Sequence, residues 1–362
     1  MPKEITPVIQ TFLDIVQIDS PTGHEEAMSK YIYDRLISYG LKPTIDKEDN
    51  VHARFTGEST LEPIFINAHL DTVEPGVGVN PHIDDEGFVR SDRTTVLGAD
   101  NKSSVAATLE AVKKLIDTKV SHRSLDLLFT VSEEGDSHGA IGFDYSLLKS
   151  TNGISFDISD EDVGTIFVSA PFYNRLTISL QGQGGHAKSP EKAKNVLPVF
   201  VTAMNGLPLG RYSSDTVVNI GSIHGGQAAN AIPGQLDLIG EVRSSVEAQL
   251  EEVTDLYRQS FANASLNTGV KVNFVATREN PGFKIDPNHP FLLEILSLLA
   301  KFGLKPQIKD SMGCADANFF AGHGLTTINI ADGTLGAHTI DERIHVDNLN
   351  RLVDLIVFLS TN

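Results

Sequence analysis

Ile64-Phe65-Ile66-Asn67-Ala68-His69-Leu70-Asp71-Thr72-Val73 is an apolar run that ends in a histidine and an aspartate two positions apart. Residues 64–68 read as a strand, and in an extended chain residues i and i+2 project from the same face. His69 and Asp71 are therefore expected side by side at the strand's carboxyl end. An imidazole backed by a carboxylate is the arrangement that fixes a metal-binding histidine's tautomer and raises its basicity. A bare His-x-Asp at a strand end is more often an ordinary polar turn, so its meaning has to come from the rest of the chain.

Outward from this strand, residues 4–18 and 24–39 carry helical apolar spacing, with Ser20-Pro21-Thr22-Gly23 between them as breaker and cap. Residues 51–55 read as a strand, Asp84-Asp85-Glu86-Gly87 as a hairpin turn, and 101–117 as a helix. A short buried strand, 125–131, runs into Ser132-Glu133-Glu134-Gly135, and strand-like runs follow at 153–158 and 164–169. Strands alternating with helices in this way predict an α/β layered fold on a mixed sheet.

From Tyr173 the pattern changes: strand 175–180, helix 190–204, strands 216–223 and 235–243, helix 246–261 and strand 270–276. This βαββαβ order is that of a ferredoxin-like unit. Asn280-Pro281-Gly282 marks its exit, after which helix 288–302, strand 325–330 and helix 347–361 resume the α/β character. The expected organisation is one domain of residues 1–172 and 282–362 with residues 173–281 inserted in it. Charge supports the division. Residues 173–281 hold nine Lys/Arg and nine Asp/Glu, and the flanks hold 20 against 38.

Composition narrows the function classes. A chain of 362 residues exceeds the size at which one core stops growing. With 40% hydrophobic residues and a mean hydropathy of −0.08, no window approaches the roughly 18 apolar residues of a membrane span. Met1-Pro2-Lys3-Glu4 leads into an amphipathic pattern interrupted by Asp14, unlike a signal-peptide core, so a cytoplasmic location is expected. The net charge of −18 disfavours nucleic acid and anionic membranes as partners. Cys314 is the only cysteine, which excludes an intrachain disulfide and a thiolate metal cage. A metal would have to be held by His, Asp and Glu.

Such residues recur where strands end: His69 with Asp71, Asp100 at a helix start, Glu133-Glu134, and Asp157 after Ile154-Ser155-Phe156. His338 follows the last strand in Gly333-Thr334-Leu335-Gly336-Ala337-His338-Thr339-Ile340-Asp341-Glu342. In open α/β sheets ligands bind beyond the carboxyl ends of the strands, so these positions can converge. Each has a structural alternative, Asp100 as a helix cap, the glutamates as a solvated turn and His338 as a loop residue. Two histidines and several carboxylates are the donor set a pair of zinc-like ions requires without cysteine.

With these motifs the chain resembles the dizinc exopeptidase and amidohydrolase family of carboxypeptidase G, aminoacylase, succinyl-diaminopimelate desuccinylase and peptidase T. The resemblance runs through His69-Leu70-Asp71, Gly98-Ala99-Asp100-Asn101-Lys102, Ser132-Glu133-Glu134-Gly135, Gly184-Gly185-His186-Ala187, Ala229-Asn230-Ala231-Ile232-Pro233 and the His338 segment. Gly185-His186-Ala187-Lys188, Lys194-Asn195 and Gly225-Gly226-Gln227 bring it nearest to the peptidase T, or tripeptide aminopeptidase, branch.

The resemblance implies a mixed-sheet catalytic domain carrying a lid and dimerisation domain, two divalent metals (zinc, or cobalt or manganese), a short peptide substrate and a homodimer. Carried over by position, Asp100 would bridge the metals, His69 and Asp157 completing one site and Glu134 and His338 the other. The segment Phe156 to Gly164 is about one residue longer than the family spacing, which leaves Asp160 as the alternative to Asp157. Asp71 would orient His69, and Glu133 would be the general base. His186, with Asn230, would stabilise the oxyanion, reaching the partner subunit's site, and Arg243 would pair with a substrate carboxylate. Amidohydrolase or carboxypeptidase action on N-acyl amino acids or dipeptides is the alternative activity, and a non-catalytic metal-binding protein a further one. Cys314 near a helix start and His138 in a Gly-flanked turn read as structural.

Overall fold

The computed structural model describes residues 5–362. Residues 1–4, with the first position of the expected 4–18 helix and the start that suggested no signal peptide, lie outside the described residues. The chain divides into two compact units, one of Met1–Val168, Ile285–Asp310 and Ala315–Asn362, the other of Ser169–Lys284 and Ser311–Cys314.

The first unit is built on a mixed eight-stranded sheet. Its middle is four parallel strands in the order Leu125–Thr130, Ile64–His69, Asn152–Ser155 and Thr326–Ile330. Every residue of Ile64–His69 and Leu125–Thr130 is buried. That is the behaviour of parallel strands covered on both faces, and it explains why both read as continuous apolar runs. Helix Ala99–Thr118 packs on Ile64–His69 and against helices Pro7–Val16 and Val346–Thr361. Pro7 opens the first of these helices, and Val8, Ile9, Phe12, Ile15 and Val16 form its buried stripe.

Register is set by packing as well as by hydrogen bonds. Gly153 sits opposite Phe65, where an added Cβ would come within 2.3 Å of the Phe65 ring. Only glycine lets that ring lie across the neighbouring strand. The register pairs His69 with Thr130, Asn67 with Ser155, and Ser155 with Asn329. The carboxyl ends of all four strands therefore meet along one edge.

Several elements depart from sequence expectation. Strand 153–158 stops at Ser155 because the Asn329 side chain takes over the next backbone groups: its Oδ1 accepts from Asp157 N (2.9 Å) and its Nδ2 donates to Asp157 O (3.2 Å). A small four-stranded sheet contains Thr334–Leu335 and Arg343–His345, whose pairing makes the His338 segment a hairpin loop. Strand Gln307–Lys309 has no counterpart in the sequence reading, whereas helix Asp316–Gly322 begins just after Cys314, where a helix start is expected. All are short, so periodicity has too few residues to show them. Among the described residues no helix is long and apolar enough to cross a membrane.

The second unit is a five-stranded antiparallel sheet. Its order is Gly210–Arg211, Thr216–Gly225, Gln235–Ser244, Phe172–Gln181, Lys271–Asn280. Its long strands run second, third, first, fourth in chain order, the ferredoxin-like arrangement. Leu176, Ile178 and Leu180 alternate inward and meet Val199, Leu250, Val253, Tyr257 and Phe261 of helices Val196–Met204 and Glu247–Ser265. The expected helix 190–204 starts only at Val196, where Asn195 Oδ1 accepts from Leu197 N (3.0 Å) as the cap. Upstream, Lys194 is bonded to Gln183 by backbone in both directions, which an α-helix would forbid.

Candidate metal centre

Seven of the sequence candidates lie in the first unit and gather at the strand edge. His69, at the end of its strand, is 2% exposed. Its Nε2 lies 3.2 Å from Asp100 Oδ1, 3.4 Å from Asp157 Oδ1 and 4.0 Å from Glu133 Oε2. His338, half-exposed on its hairpin loop, has Nε2 2.7 Å from Glu134 Oε1 and 3.5 Å from Asp100 Oδ2. The carboxylate of Asp100 thus turns one oxygen to each histidine. The donor atoms of His69, Asp100 and Asp157 lie within 4.8 Å of one another, as do those of Asp100, Glu134 and His338 and those of His69, Glu133 and Glu134.

Each side chain has a local cause for its position. Asp100 follows Gly98, whose φ of 75° is one that L side chains rarely adopt, and keeps non-helical torsions at the mouth of helix Ala99–Thr118. It is thus no ordinary helix cap. Asp157 is steered by Asn101, whose Nδ2 donates to Asp157 Oδ1 (2.8 Å) and to Phe156 O (2.7 Å). Asp160, the alternative, turns elsewhere: its Oδ1 accepts from Gly336 N at 2.7 Å and braces the His338 loop.

Asp71 does more than its expected pairing with His69. Its Oδ1 is 3.2 Å from His69 Nδ1, at an angle short of a hydrogen bond. The same carboxylate accepts from Glu133 N (3.0 Å), Glu134 N (3.0 Å) and Thr22 Oγ1 (2.9 Å), and so shapes the turn that presents both glutamates. Burial pushes the Asp71 carboxyl up, but His69 and these donors outweigh it and hold it below its usual range.

The electrostatics are those of crowded acids in a dry place. Burial, then the Asp157 and Glu134 charges, push Glu133 well above the usual carboxylate range despite the opposing pull of His69. Bonds from Asp100 and Glu134 hold the His338 imidazole up at about 10. Burial works against a charged His69, yet the neighbouring carboxylates of Asp100, Asp157 and Asp71 raise it well above normal. Two imidazoles thus meet four converging acids in a buried place. Imidazole and carboxylate donors, with one carboxylate shared between two trios, fit divalent cations.

Sequence reasoning passed over Thr22, Asn101, Glu342 and Asp316 as functional positions. Glu342 Oε2 accepts from Gly98 N (2.7 Å) and Oε1 from Asp100 N (2.9 Å). Asp316 Oδ2 accepts from Thr130 Oγ1 at 2.5 Å, and burial lifts its carboxyl to about 7. Asn101 and Glu342 stand inside quoted motifs, which was the available signal. Thr22 and Asp316 sit in segments whose local spacing carried none.

His186, Asn230 and Arg243 belong to the second unit. His186 is exposed in a two-residue ladder, Gly185–His186 with Ala231–Ile232, and Ala187 N donates to Asn230 O (2.9 Å). Lys188 N donates to His186 Nδ1 (3.2 Å), so the neutral ring carries its proton on Nε2. The Arg243 guanidinium stacks on Tyr173 (4.8 Å), donates to Met312 O (3.2 Å) and holds Glu241 Oε2 (3.2 Å). Cys314 gives no reactive thiol, since burial pushes it up to about 11. His138 Nδ1 sits 2.9 Å from Asp136 Oδ1 at the surface.

Comparison with known proteins accords with this geometry. The chain is 31% identical to an uncharacterized protein, YqjE, of Bacillus subtilis (strain 168), over 97% of this chain and 96% of that one. The aminopeptidase PepT of Bacillus cereus ATCC 10987 superposes with a TM-score of 0.92 at 29% identity, covering 98% of this chain and 97% of its own. A tripeptidase of Staphylococcus aureus subsp. aureus Mu50 does so with a TM-score of 0.94 at 28% identity, with the same coverage. Residues 65–362 match peptidase family M20/M25/M40. The chain therefore belongs to peptidase family M20/M25/M40 and is a metal-dependent hydrolase of the metallopeptidase class.

Proposed function

We propose that this metallopeptidase is a dinuclear aminopeptidase that removes the N-terminal residue of short peptides, tripeptides foremost. The observation that carries the reading is the pair of donor trios sharing Asp100, with Glu133 beside them, its Oε2 4.0 Å from His69 Nε2. The likeness to an aminopeptidase PepT and a tripeptidase over nearly the whole chain supports the peptide length.

His69, Asp100 and Asp157 would hold one ion and Asp100, Glu134 and His338 the other, zinc first, with cobalt and manganese suited to the same donors. Bound there, the ions supply Lewis acidity and make water a stronger acid. The chain's own residues do the rest. Asp71 keeps His69 Nε2 turned to the site and holds the Glu133–Glu134 turn. Glu133 takes a proton from the attacking water at its carboxylate and returns it to the leaving amine. His186 donates a hydrogen bond from Nε2–H to the developing oxyanion with Asn230 beside it, and Arg243 pairs with the substrate's terminal carboxylate. The inserted unit serves as lid and dimerisation domain, His186 reaching the partner subunit's site, and the enzyme works in the cytoplasm.

The test is metal content followed by turnover on tripeptides, dipeptides and N-acyl amino acids, with and without chelator. Glu133→Gln should keep two ions per chain and lose turnover by about 100-fold or more. Preference for N-acyl amino acids would replace the aminopeptidase reading with amide hydrolysis. Absence of both metal and hydrolysis would remove it. Mixed dimers of Glu133 and His186 variants should regain activity if the site is shared between subunits.

A further inference from the structure

Glu342 is 2% exposed, and both of its carboxylate oxygens are spent on backbone N–H groups some 240 positions earlier, those of Gly98 and Asp100. It belongs to none of the donor trios. The two N–H groups flank Ala99 in the segment where Gly98 takes positive φ and Asp100 keeps non-helical torsions. A carboxylate that grips both fixes that segment's orientation and, with it, the direction in which the Asp100 oxygens point. Glu342 is also the end of the loop that presents His338. Its N–H donates to Thr339 O (3.1 Å), and Thr339 Oγ1 closes on Gly336 O (2.7 Å). One side chain thus joins the backbone of the shared ligand to the loop of a second ligand.

We infer that Glu342 is a positioning residue of the dinuclear centre, setting the spacing between Asp100 and His338 and hence the strength of the site they form with Glu134. The inference rests on the dinuclear reading above. The trio of Asp100, Glu134 and His338 has two of its three donors tied through Glu342, and the trio of His69, Asp100 and Asp157 has one. Loss of the clamp should therefore weaken the two ions unequally. A fault in general stability would weaken both alike. Only a carboxylate meets the geometry: the side-chain amide of Gln has a single acceptor oxygen, and its NH₂ would confront the other backbone N–H.

The experiment titrates Co²⁺ into the metal-free full-length chain against a competing chelator, with ion stoichiometry and the Co²⁺ absorption spectrum as readouts. The wild type should take up two ions. Glu342→Gln should keep one tight ion and bind the other about 10- to 100-fold more weakly, the range lost when a ligand's supporting partner is removed. Equal affinities in variant and wild type, or parallel weakening of both ions, would overturn the inference. A wild type that binds no ion would remove the dinuclear reading and this inference together, whereas two ions in the wild type with an unaffected variant would remove only the latter. Amide hydrogen exchange on the wild type needs no variant to fold: Gly98 and Asp100 should be among the slowest amides of the metal-free chain, and fast exchange at both would refute the clamp.

Discussion

Replacing Asp71 with Asn tests whether one buried carboxylate organises both halves of the site. Asp71 is fully buried and receives Glu133 N, Glu134 N and Thr22 Oγ1 within 3.0 Å, with His69 Nδ1 at 3.2 Å. The asparagine side chain keeps the shape but has one acceptor oxygen, so either the Glu133 or the Glu134 N–H must face an NH₂ group. A buried donor left without a partner costs about 1–3 kcal/mol. Withdrawing the carboxylate behind a metal-binding histidine costs about 10- to 100-fold in metal affinity or activity, which is about 1.4–2.8 kcal/mol. Denaturant unfolding of the metal-free variant should show stability reduced by about 1–3 kcal/mol, and metal titration the affinity loss at the His69 site. Thr22→Val, which removes a single hydroxyl donor, should cost only about 0.5–1.5 kcal/mol. An Asp71→Asn protein with unchanged unfolding midpoint and unchanged metal affinity would refute the reasoning, because it would show that neither the N–H bonds nor the charge matters.

Gly153→Ala should lower stability by about 1–3 kcal/mol, since the new methyl meets the Phe65 ring; thermal melting checks it, and a neutral result would mean the strands shift freely. Asp126 is buried among Arg54 Nη1 (2.8 Å), Lys149 N (2.9 Å) and Ser150 Oγ (2.9 Å). Burial raises its carboxyl, but His52 and these donors prevail and hold it down to about 2. Its folded value lies below the unfolded one near 3.9, so its stabilisation, about 2 kcal/mol, is present above that pH and fades as pH falls toward 2. Unfolding free energy followed from pH 6 to pH 2 should lose that slope in Asp126→Asn. Asp157→Asn should weaken the ion of the His69 trio, and Asp160→Asn should leave that ion in place while raising hydrogen exchange around Gly336; metal analysis of the pair decides between the two aspartates.

Legibility divides along a physical line. The Ile64–His69 and Leu125–Thr130 strands were readable because a strand covered on both faces must be apolar at every position, and helices such as Val346–Thr361 because their buried stripe repeats at helical spacing. The residue types were readable too: with Cys314 as the only cysteine, a metal centre had to be made of imidazole and carboxylate. Where those donors would point was not. Asp157 is favoured over Asp160 in a stretch of four acids only by its place at the end of the expected strand, and it is the pairing with Asn329 and Thr326–Ile330 that turns Asp157 toward His69 while Gly336 N claims Asp160. Asp71 looked like a partner for one histidine, and folding made it the anchor of the Glu133–Glu134 turn 62 positions away. Local periodicity records which side of a residue is buried. Which oxygen meets which backbone N–H depends on strands and loops brought together from across the chain, and that only the tertiary structure decides.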